Sequence, residues 1–291
     1  MSDFDGAISA LYVYPIKSCA GTPCERVELT AHGLKHDRQW MIVDQHGQFQ
    51  TQRQIPHLVW ITPTVDKSAI TLSAPGQPDL SLPILGPEQA ANHPSKAVTV
   101  WKDSLPAIDL GPKASQWLDG FLEVPGKSYH LVQFDPNATR VSDPKWAGEG
   151  PAAVRFADGF AVNVLSQAAV DLFNDKALEM GLETVDPLRF RPNIVLNGLE
   201  AHAEDLSDRL LFGLEHDQIE LALVKPCPRC QIPDIDPNTS IKEPLISKIL
   251  ATYRQLSSMD HAVCFGMNAV VRSGAGHDLY INQPFRGFYN I

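Results

Sequence analysis

Two cysteines, Cys227 and Cys230, stand three residues apart in the segment VKPCPRCQIPDIDPNTS. A C-x-x-C pair is compatible with three kinds of chemistry: half of a structural zinc site, a dithiol redox pair, or one thiolate that binds a redox metal. Each alternative needs different surroundings, so the neighbouring residues decide between them.

The surroundings favour a single metal-binding thiolate. A closed zinc site needs a second close pair of Cys or His. The candidates for that pair are Cys19 with Cys24 and His261 with Cys264. A thioredoxin-like pair begins a helix after a strand, whereas prolines surround this pair and the sequence continues as a loop. We expect strand IELALV to end at Lys225, and the cations of Lys225 and Arg229 favour a thiolate and attract an anionic cofactor. Taken alone, the segment also fits a buried cysteine in a turn.

Three other stretches carry groups that bind anions or the edge of a heterocycle. They are YPIKS with Lys17 and Ser18, HDRQW with Arg38, and RFRPN with Arg191 and Asn193. Arginine and lysine bind phosphate by charge and geometry, and asparagine offers both a donor and an acceptor. Each stretch alone could be an ordinary surface charge, but each lies beside a tight turn or a proline where a loop can carry function.

The elements that position these residues are mostly strands. Alternating or short apolar runs predict strands in ISALYVYPI, RQWMIVDQHGQF, LVWITPTV, AITLSA, AVTVW, GFAVNVL, RFRPNIVLNG, IELALVKP, CFGMNAVVR and HDLYINQ. Helices are expected at 114–124, at 244–256, and after Ser166, a good N-cap, with Gly181 as the stop. The long loop 137–159 is rich in Gly, Pro and Ala. The pattern predicts an α+β, strand-rich chain of two units with a few covering helices.

Composition narrows the function further. The 291 residues suffice for two domains, and the formal net charge of -10 without a basic stretch argues against nucleic-acid binding. No apolar run reaches the length of about 18 residues that a membrane helix needs. The acidic N-terminus leads directly into a strand pattern, which is unlike a signal or transit peptide. We therefore expect a cytoplasmic protein with reduced thiols and no membrane partner.

The ordered set of motifs resembles a known family. YPIKSCAG, DRQWMIVD and TQRQ are similar to the β-barrel-like domain that precedes MOSC domains. FRPNIVLNG, PCPRCQIPDIDPNTS and FGMNAVV are similar to the MOSC domain itself, as in the mitochondrial amidoxime-reducing component and its bacterial relatives. The resemblance implies two β-barrel-like units, with a MOSC N-terminal domain at 1–125 and a MOSC domain at 126–291.

The resemblance also implies a molybdenum cofactor (Mo-molybdopterin) and a set of residues that hold it. Cys230 matches the cysteine that is the molybdenum ligand and catalytic residue in the family, whereas Cys227 receives no role. The residues that match the pterin and phosphate contacts are Lys17, Ser18, Arg38, Arg191, Asn193, Arg229 and Asn268, with Gly159 and Phe160 contributing through their backbone. Position 228 is Pro where some relatives have Ser. Asp234 and Asp236 lie near the ligand and could assist proton delivery.

By the same likeness, the activity is the reduction of N-hydroxylated compounds: amidoximes, hydroxylamines and N-hydroxylated bases. No cysteine cluster for an iron–sulfur centre is present in the sequence, so electrons would come from a separate flavoprotein reductase or iron–sulfur protein. One alternative is a molybdenum cofactor or sulfur carrier without redox catalysis of its own, with a persulfide on Cys230. Another is a non-catalytic binding protein with an empty site.

Overall fold

A computed structural model describes residues 2–213 and 217–290. The strands are β1 (Phe4–Val13), β2 (Thr22–Cys24), β3 (Arg26–Thr30), β4 (Gly33–Leu34), β5 (Trp40–Asp44), β6 (Thr62–Val65), β7 (Ala69–Ser73), β8 (Leu80–Pro83), β9 (Ser95–Val100), β10 (Asp103–Asp109), β11 (Tyr129–Phe134), β12 (Val162–Ser166), β13 (Ile194–Asn197), β14 (Ser207–Phe212), β15 (Ile219–Pro228), β16 (Gln255–Leu256), β17 (Ala262–Ser273), β18 (Asp278–Tyr280) and β19 (Pro284–Tyr289). The α-helices are α1 (Pro87–Ala90), α2 (Pro112–Leu122), α3 (Pro144–Ala147), α4 (Gln167–Glu179) and α5 (Leu245–Ala251). Short 3-10 helices lie at Pro56–Trp60, Pro187–Phe190, Ala203–Leu206, Ile232–Asp234 and Ser257–Met259.

One strand-rich unit is a closed barrel. Its strands follow the order β12-β13-β1-β19-β14-β15-β17, and β12 pairs with β17 to close the ring. The alternation of apolar residues along these strands fills the interior, where Ile8, Leu11, Val164, Ile194 and Leu221 are buried in one cluster. All neighbouring strands in the ring are antiparallel except β12 and β13, which are parallel, and closure leaves none of these strands with an open edge.

The other strand-rich unit is a half-barrel. Its strands form the four-stranded sheet β5-β11-β10-β9 and the three-stranded sheet β6-β7-β8. Helix α2 covers β11 with Leu118, and Trp40, Ile42 and Leu131 complete a second buried cluster. The strand-rich α+β class with two barrel-like units, predicted from the sequence, is confirmed.

Each unit is built from strands that are far apart in the sequence. β1, from the N-terminus, pairs with β13 and β19 in the closed barrel. β11, which begins at Tyr129, pairs with β5 and β10 in the half-barrel. The segment that joins β1 to β5 therefore runs from one unit to the other. It contains YPIKS and HDRQW, the first two stretches with predicted anion-binding side chains.

Several local predictions needed correction. The helix expected at 244–256 ends at Ala251, because residues 255–256 pair with β17 and Arg254 turns inward to donate to the carbonyl oxygen of Cys264 at 2.8 Å. β15 does not end at Lys225; it continues through Cys227 to Pro228 with three register shifts along its pairing with β17. The expected second strand of the RQWMIVDQHGQF hairpin is reduced to an isolated bridge between Val43 and Phe49.

Other local predictions were confirmed. α4 has Ser166 as N-cap, whose Oγ accepts from the backbone N–H of Ala169, and Gly181 follows the helix with φ 73°. Among the described residues, the helices are all too short or too polar to cross a membrane.

Candidate active site

One cleft brings together the ten site residues that the sequence predicted. Its water-accessible part is about 130 Å³. The predicted residues that line it are Lys17, Ser18, Arg38, Gly159, Phe160, Arg191, Asn193, Arg229, Cys230 and Asn268. They come from six separate segments, so the closed barrel and its connections, not sequence proximity, assemble the cleft.

Three of these residues adopt the left-handed backbone conformation. Ser18, Arg38 and Arg191 have φ of 67°, 44° and 55°. Bulky residues other than glycine rarely adopt positive φ, and such strain costs on the order of 1–3 kcal/mol per residue. Backbone hydrogen bonds hold the turns, since Arg38 N–H donates to the Tyr14 carbonyl at 2.8 Å and Arg191 N–H donates to the Leu188 carbonyl at 3.0 Å. The strain therefore aims the side chains of three separate turns at one place.

A buried carboxylate, Asp37, organises the centre of the site. It accepts from the backbone N–H of Tyr14 at 2.9 Å, from Nδ2 of Asn193 at 3.0 Å, and from Nη1 of Arg38 at 2.9 and 2.7 Å. Asp37 and Asn193 are 2% and 1% exposed. Burial alone would lower the pKa of Arg38, but Asp37 reverses that effect and raises it, so this guanidinium keeps its charge inside the protein.

Asn193 uses its whole amide within the protein. Its Oδ1 accepts from Arg38 Nη1 and from the backbone N–H of Asn163, both at 3.1 Å, and its Nδ2 donates to Tyr12 O and to Asp37. Asn193 thus joins the strand end of β13 to the Arg38 turn. Asn193 therefore contributes to the site by positioning Arg38.

The ring of Tyr14 lies under both arginines. The Cζ atoms of Arg38 and Arg191 are each 4.3 Å from its centroid, a cation–π distance. Arg191 donates Nη1 to the Cys19 carbonyl at 2.8 Å, and its other N–H groups have no acceptor within residues 2–213 and 217–290. Burial and the neighbouring Arg38 cation lower the pKa of Arg191. A half-buried guanidinium with unused donors is suited to bind an anion.

Arg229 is occupied by the backbone instead. Its Nε donates to Phe265 O at 2.9 Å, its Nη1 to Phe190 O at 2.7 Å, and its Nη2 to Asn163 Oδ1 at 3.3 Å. These bonds tie the end of β15 to β17 and to the turn before β13. Arg229 therefore supplies positive charge to the cleft while it fixes the segment that carries the cysteines.

Lys17 forms the other wall with Asp158. The Lys17 ammonium donates to the Phe156 carbonyl at 2.9 Å and to Asp158 Oδ1. Burial lowers the pKa of Lys17 in spite of the Asp158 charge. Desolvation by the surrounding residues opposes the charge of Asp158, but the Lys17 ammonium and the hydrogen bonds from Lys17 and Trp101 outweigh that effect and hold the pKa of this carboxyl well below its usual range. Asp158 is therefore a carboxylate at neutral pH.

The two cysteines differ in environment although both line the cleft. Cys230 is exposed and follows the last residues of β15, whereas Cys227 lies within β15 and is half-buried. Burial raises the pKa of the Cys227 thiol, and Arg229 opposes the shift. Among the described residues, no group of three or more His, Cys, Asp or Glu side chains is arranged to hold a metal ion. The cleft offers one accessible thiol, without the four ligands of a closed zinc site.

Asp234 and Asp236, considered above as proton donors, are used by local structure. Asp234 accepts from the backbone N–H of Ser247 at 2.9 Å at the start of α5. Asp236 accepts from two backbone N–H groups of its own turn, at 2.8 and 2.9 Å, and from Arg189 Nη1 at 3.1 Å. Neither residue lines the cleft. Their contacts are those of turn and cap residues.

Sequence reasoning missed three residues of the site: Asp37, Tyr14 and Asp158. Asp37 and Tyr14 stand inside the quoted motifs HDRQW and YPIKS, so their positions were visible, but their contacts depend on turns that meet only in the fold. Asp158 stands in ADGF, beside the predicted Gly159. An acidic residue next to a predicted anion site was the available signal.

Two domain family models match most of the chain. The MOSC N-terminal beta barrel domain family matches residues 5–125, and the MOSC domain family matches residues 151–279. Mitochondrial amidoxime-reducing component 1 of Homo sapiens is 35% identical over 260 residues, which are 86% of this chain and 72% of the human protein. The Mus musculus component 1 is 34% identical over 271 residues, 89% of this chain and 74% of the mouse protein. Among solved structures, the YUAD protein of Bacillus subtilis is 12% identical with a TM-score of 0.44, over 98% of this chain and 97% of that protein.

Proposed function

The chain belongs to the family of proteins that join a MOSC N-terminal domain to a MOSC domain, and we propose that it is a molybdenum cofactor-dependent oxidoreductase that reduces N-hydroxylated compounds. Its curated relatives are named amidoxime-reducing components. The observation that carries the proposal is the cleft itself, in which four basic side chains face one accessible thiol. Thiolate sulfur selects soft and redox metals over calcium or magnesium.

The residues fit an anionic pterin cofactor. Arg191 keeps N–H donors without protein acceptors among the described residues, and Lys17 and Arg38 add positive charge on either side. Gly159 leaves room, because a Cβ at this position would meet nothing within 4 Å. Charged N–H donors beside open space match the needs of a phosphate and of a pterin ring.

Each side chain then has a distinct task. We assign Cys230 as the protein ligand to molybdenum, Arg191 and Lys17 to the phosphate, and Arg38 and Asn268 to the pterin side. Arg229 fixes the cysteine segment, and Asn193 positions Arg38. Ser18 completes the cradle, and Gly159 and Phe160 contribute through their backbone.

The cofactor, when bound, supplies the two-electron reduction that converts an N–OH group and two protons to an N–H group and water. The protein binds and orients the substrate and surrounds the reacting group with positive charge. The electrons come from a separate flavoprotein reductase or iron–sulfur protein, because a reduction needs a donor and this chain is assigned no second redox centre. The substrates are small N-hydroxylated molecules, amidoximes among them.

The test is reduction of benzamidoxime by the cofactor-loaded chain, first with a chemical reductant and then with cell extract and NADH. We expect benzamidine in both assays, and we expect extract freed of proteins to lose the NADH-dependent rate. A loaded chain that forms no benzamidine with either electron source would contradict the reductase assignment. A persulfide on Cys230 in the mass spectrum of the intact protein would instead indicate a sulfur carrier.

A further inference from the structure

Asp158 is an exception in an otherwise cationic cleft. Of the described residues that line it, Asp158 is the one carboxylate. Its side chain is 65% exposed although it pairs with Lys17, whose side chain is 5% exposed. Its Oδ1 accepts from Lys17 and from the indole Nε1 of Trp101 at 3.1 Å. Its Oδ2 accepts no hydrogen bond from the described residues and is open to solvent.

Arg140 fixes the backbone segment that carries Asp158. Arg140 donates Nη1 to the carbonyl oxygens of Arg155 and Ala157, both at 2.6 Å, and Nη2 to the Asp158 carbonyl at 3.2 Å. Its Nε is in turn held by Asp103 at 2.7 Å. Three bonds from one buried guanidinium hold the segment, and the bond to Asp103 holds the guanidinium, so Asp158 stands in a defined position although its side chain is exposed.

Trp101 is placed beside Asp158 by an unfavourable turn. It is the first residue of the two-residue connection between β9 and β10, where φ is 57° and glycine is the usual residue. Trp101 is 44% exposed, and Phe49 and the Arg53 guanidinium pack against its ring at centroid distances of 5.1 and 4.7 Å. A bulky aromatic residue at positive φ is uncommon and points to a functional role.

We propose that Asp158 and Trp101 form a substrate subsite that selects N-hydroxylated compounds with a second N–H donor on an aromatic frame, as in aromatic amidoximes. Oδ2 of Asp158 accepts the amidoxime NH₂ group, while Oδ1 stays on Lys17 and Trp101. The indole supplies apolar contact for the aromatic part. The inference rests on the proposed function for the reaction, but the binding it describes can be measured without turnover.

Asp158→Asn tests the carboxylate, because its amide oxygen can still accept from Lys17 and Trp101 while the new NH₂ group cannot accept from the substrate. We expect kcat/KM for benzamidoxime to fall about tenfold, as for the loss of one hydrogen bond to a charged acceptor. N-Benzyl-N-methylhydroxylamine, which has an N–OH group and no N–H, is expected to change less than twofold. Molybdenum content is expected to be unchanged. Trp101→Ala is expected to lower kcat/KM for both aromatic compounds, because both lose the contact with the indole.

Asp278→Asn is the matched control, since Asp278 also pairs with a base, Arg26, but lies outside the cleft. It is expected to leave both substrates unchanged. Equal losses for both substrates in Asp158→Asn, together with less molybdenum, would overturn the subsite and leave Asp158 as a support for Lys17. No change for either substrate would also overturn it.

A titration of the oxidised, loaded protein with benzamidoxime, without reductant, separates this proposal from the reductase assignment. If the wild type reduces neither compound, the reductase assignment fails, and the titration alone decides the subsite. A Kd about tenfold weaker in Asp158→Asn then supports the subsite, and equal Kd values overturn it.

Discussion

Replacing Asp37 by Asn, which has nearly the same shape, is expected to lower the free energy of unfolding and the molybdenum content. The carboxylate is 2% exposed and neutralises Arg38, whose side chain is 14% exposed. It also accepts from Tyr14 and Asn193, so one side chain joins β1, the Arg38 turn and β13. The amide keeps one acceptor but removes the negative charge, which leaves a buried guanidinium with no ionic partner in this network.

The magnitude follows from the burial of the pair. Removing one partner of a buried ion pair costs about 3–5 kcal/mol, and the remaining amide oxygen places Asp37→Asn near the lower end, at about 3 kcal/mol. An exposed pair contributes about 0–1 kcal/mol. Glu28→Gln is therefore the matched control, because Glu28 pairs with Lys35 and both side chains are more than one-third exposed.

Urea unfolding, followed by tryptophan fluorescence and circular dichroism, measures both variants. We expect a loss of about 3 kcal/mol in the free energy of unfolding for Asp37→Asn, a loss below 1 kcal/mol for Glu28→Gln, and reduced molybdenum content for Asp37→Asn alone. If Asp37→Asn lost no more stability than Glu28→Gln and kept its molybdenum, Asp37 would not organise the site.

Three further predictions address other parts of the molecule. Burial raises the pKa of Glu204 to about 7 and lowers that of His202 to about 4. Between their ordinary values of 4.5 and 6.5, Glu204 is protonated only in the folded state and His202 only in the unfolded state. Their effects on the pH dependence of the free energy of unfolding therefore cancel in the wild type. Glu204→Gln removes this offset, so its free energy of unfolding should fall on acidification below pH 6.5 by up to about 1 kcal/mol per pH unit, less where solvent screens the ring, and a slope equal to that of the wild type in urea titrations would refute this. In cofactor-free protein at pH 7.5, iodoacetamide should modify the exposed Cys230 before Cys227, whose thiol pKa is raised by burial, and equal labelling in peptide mass spectra would contradict it. Gly159→Val should change stability by less than about 0.5 kcal/mol, because a Cβ there meets nothing within 4 Å, but should lower molybdenum content; full content would show that the space is not used.

Much of the site was predictable because its residues stand at element ends. Strand patterns predicted that Lys17, Arg38 and Cys230 lie near strand ends. The other site residues were predicted from the resemblance of the ordered motifs to a known family. The class of fold followed from the frequent short apolar runs and turn residues. The division of the chain at residue 125 stays a prediction, as do the individual roles of the site residues.

What local pattern could not reveal depends on long-range contacts. Asn193 and Asp37 are 156 positions apart, and Lys17 and Asp158 are 141 positions apart. The helix expected to reach residue 256 stops at Ala251 because pairing with β17 and burial of Arg254 override helix propensity. Such contacts carry no periodic signal in the sequence. They also explain why Asp37, which lies beside a predicted residue, was not assigned a role.

The central claim is that Cys230 alone of the C-x-x-C pair binds the metal of a molybdenum cofactor. The most direct test is the molybdenum and pterin content of the protein expressed in a host that makes the cofactor, as wild type, Cys230→Ala and Cys227→Ala. We predict near-stoichiometric molybdenum in the wild type and in Cys227→Ala, and loss of the metal or of its thiolate-dependent absorption in Cys230→Ala. Zinc that requires both cysteines, or no molybdenum in any of the three, would contradict the claim.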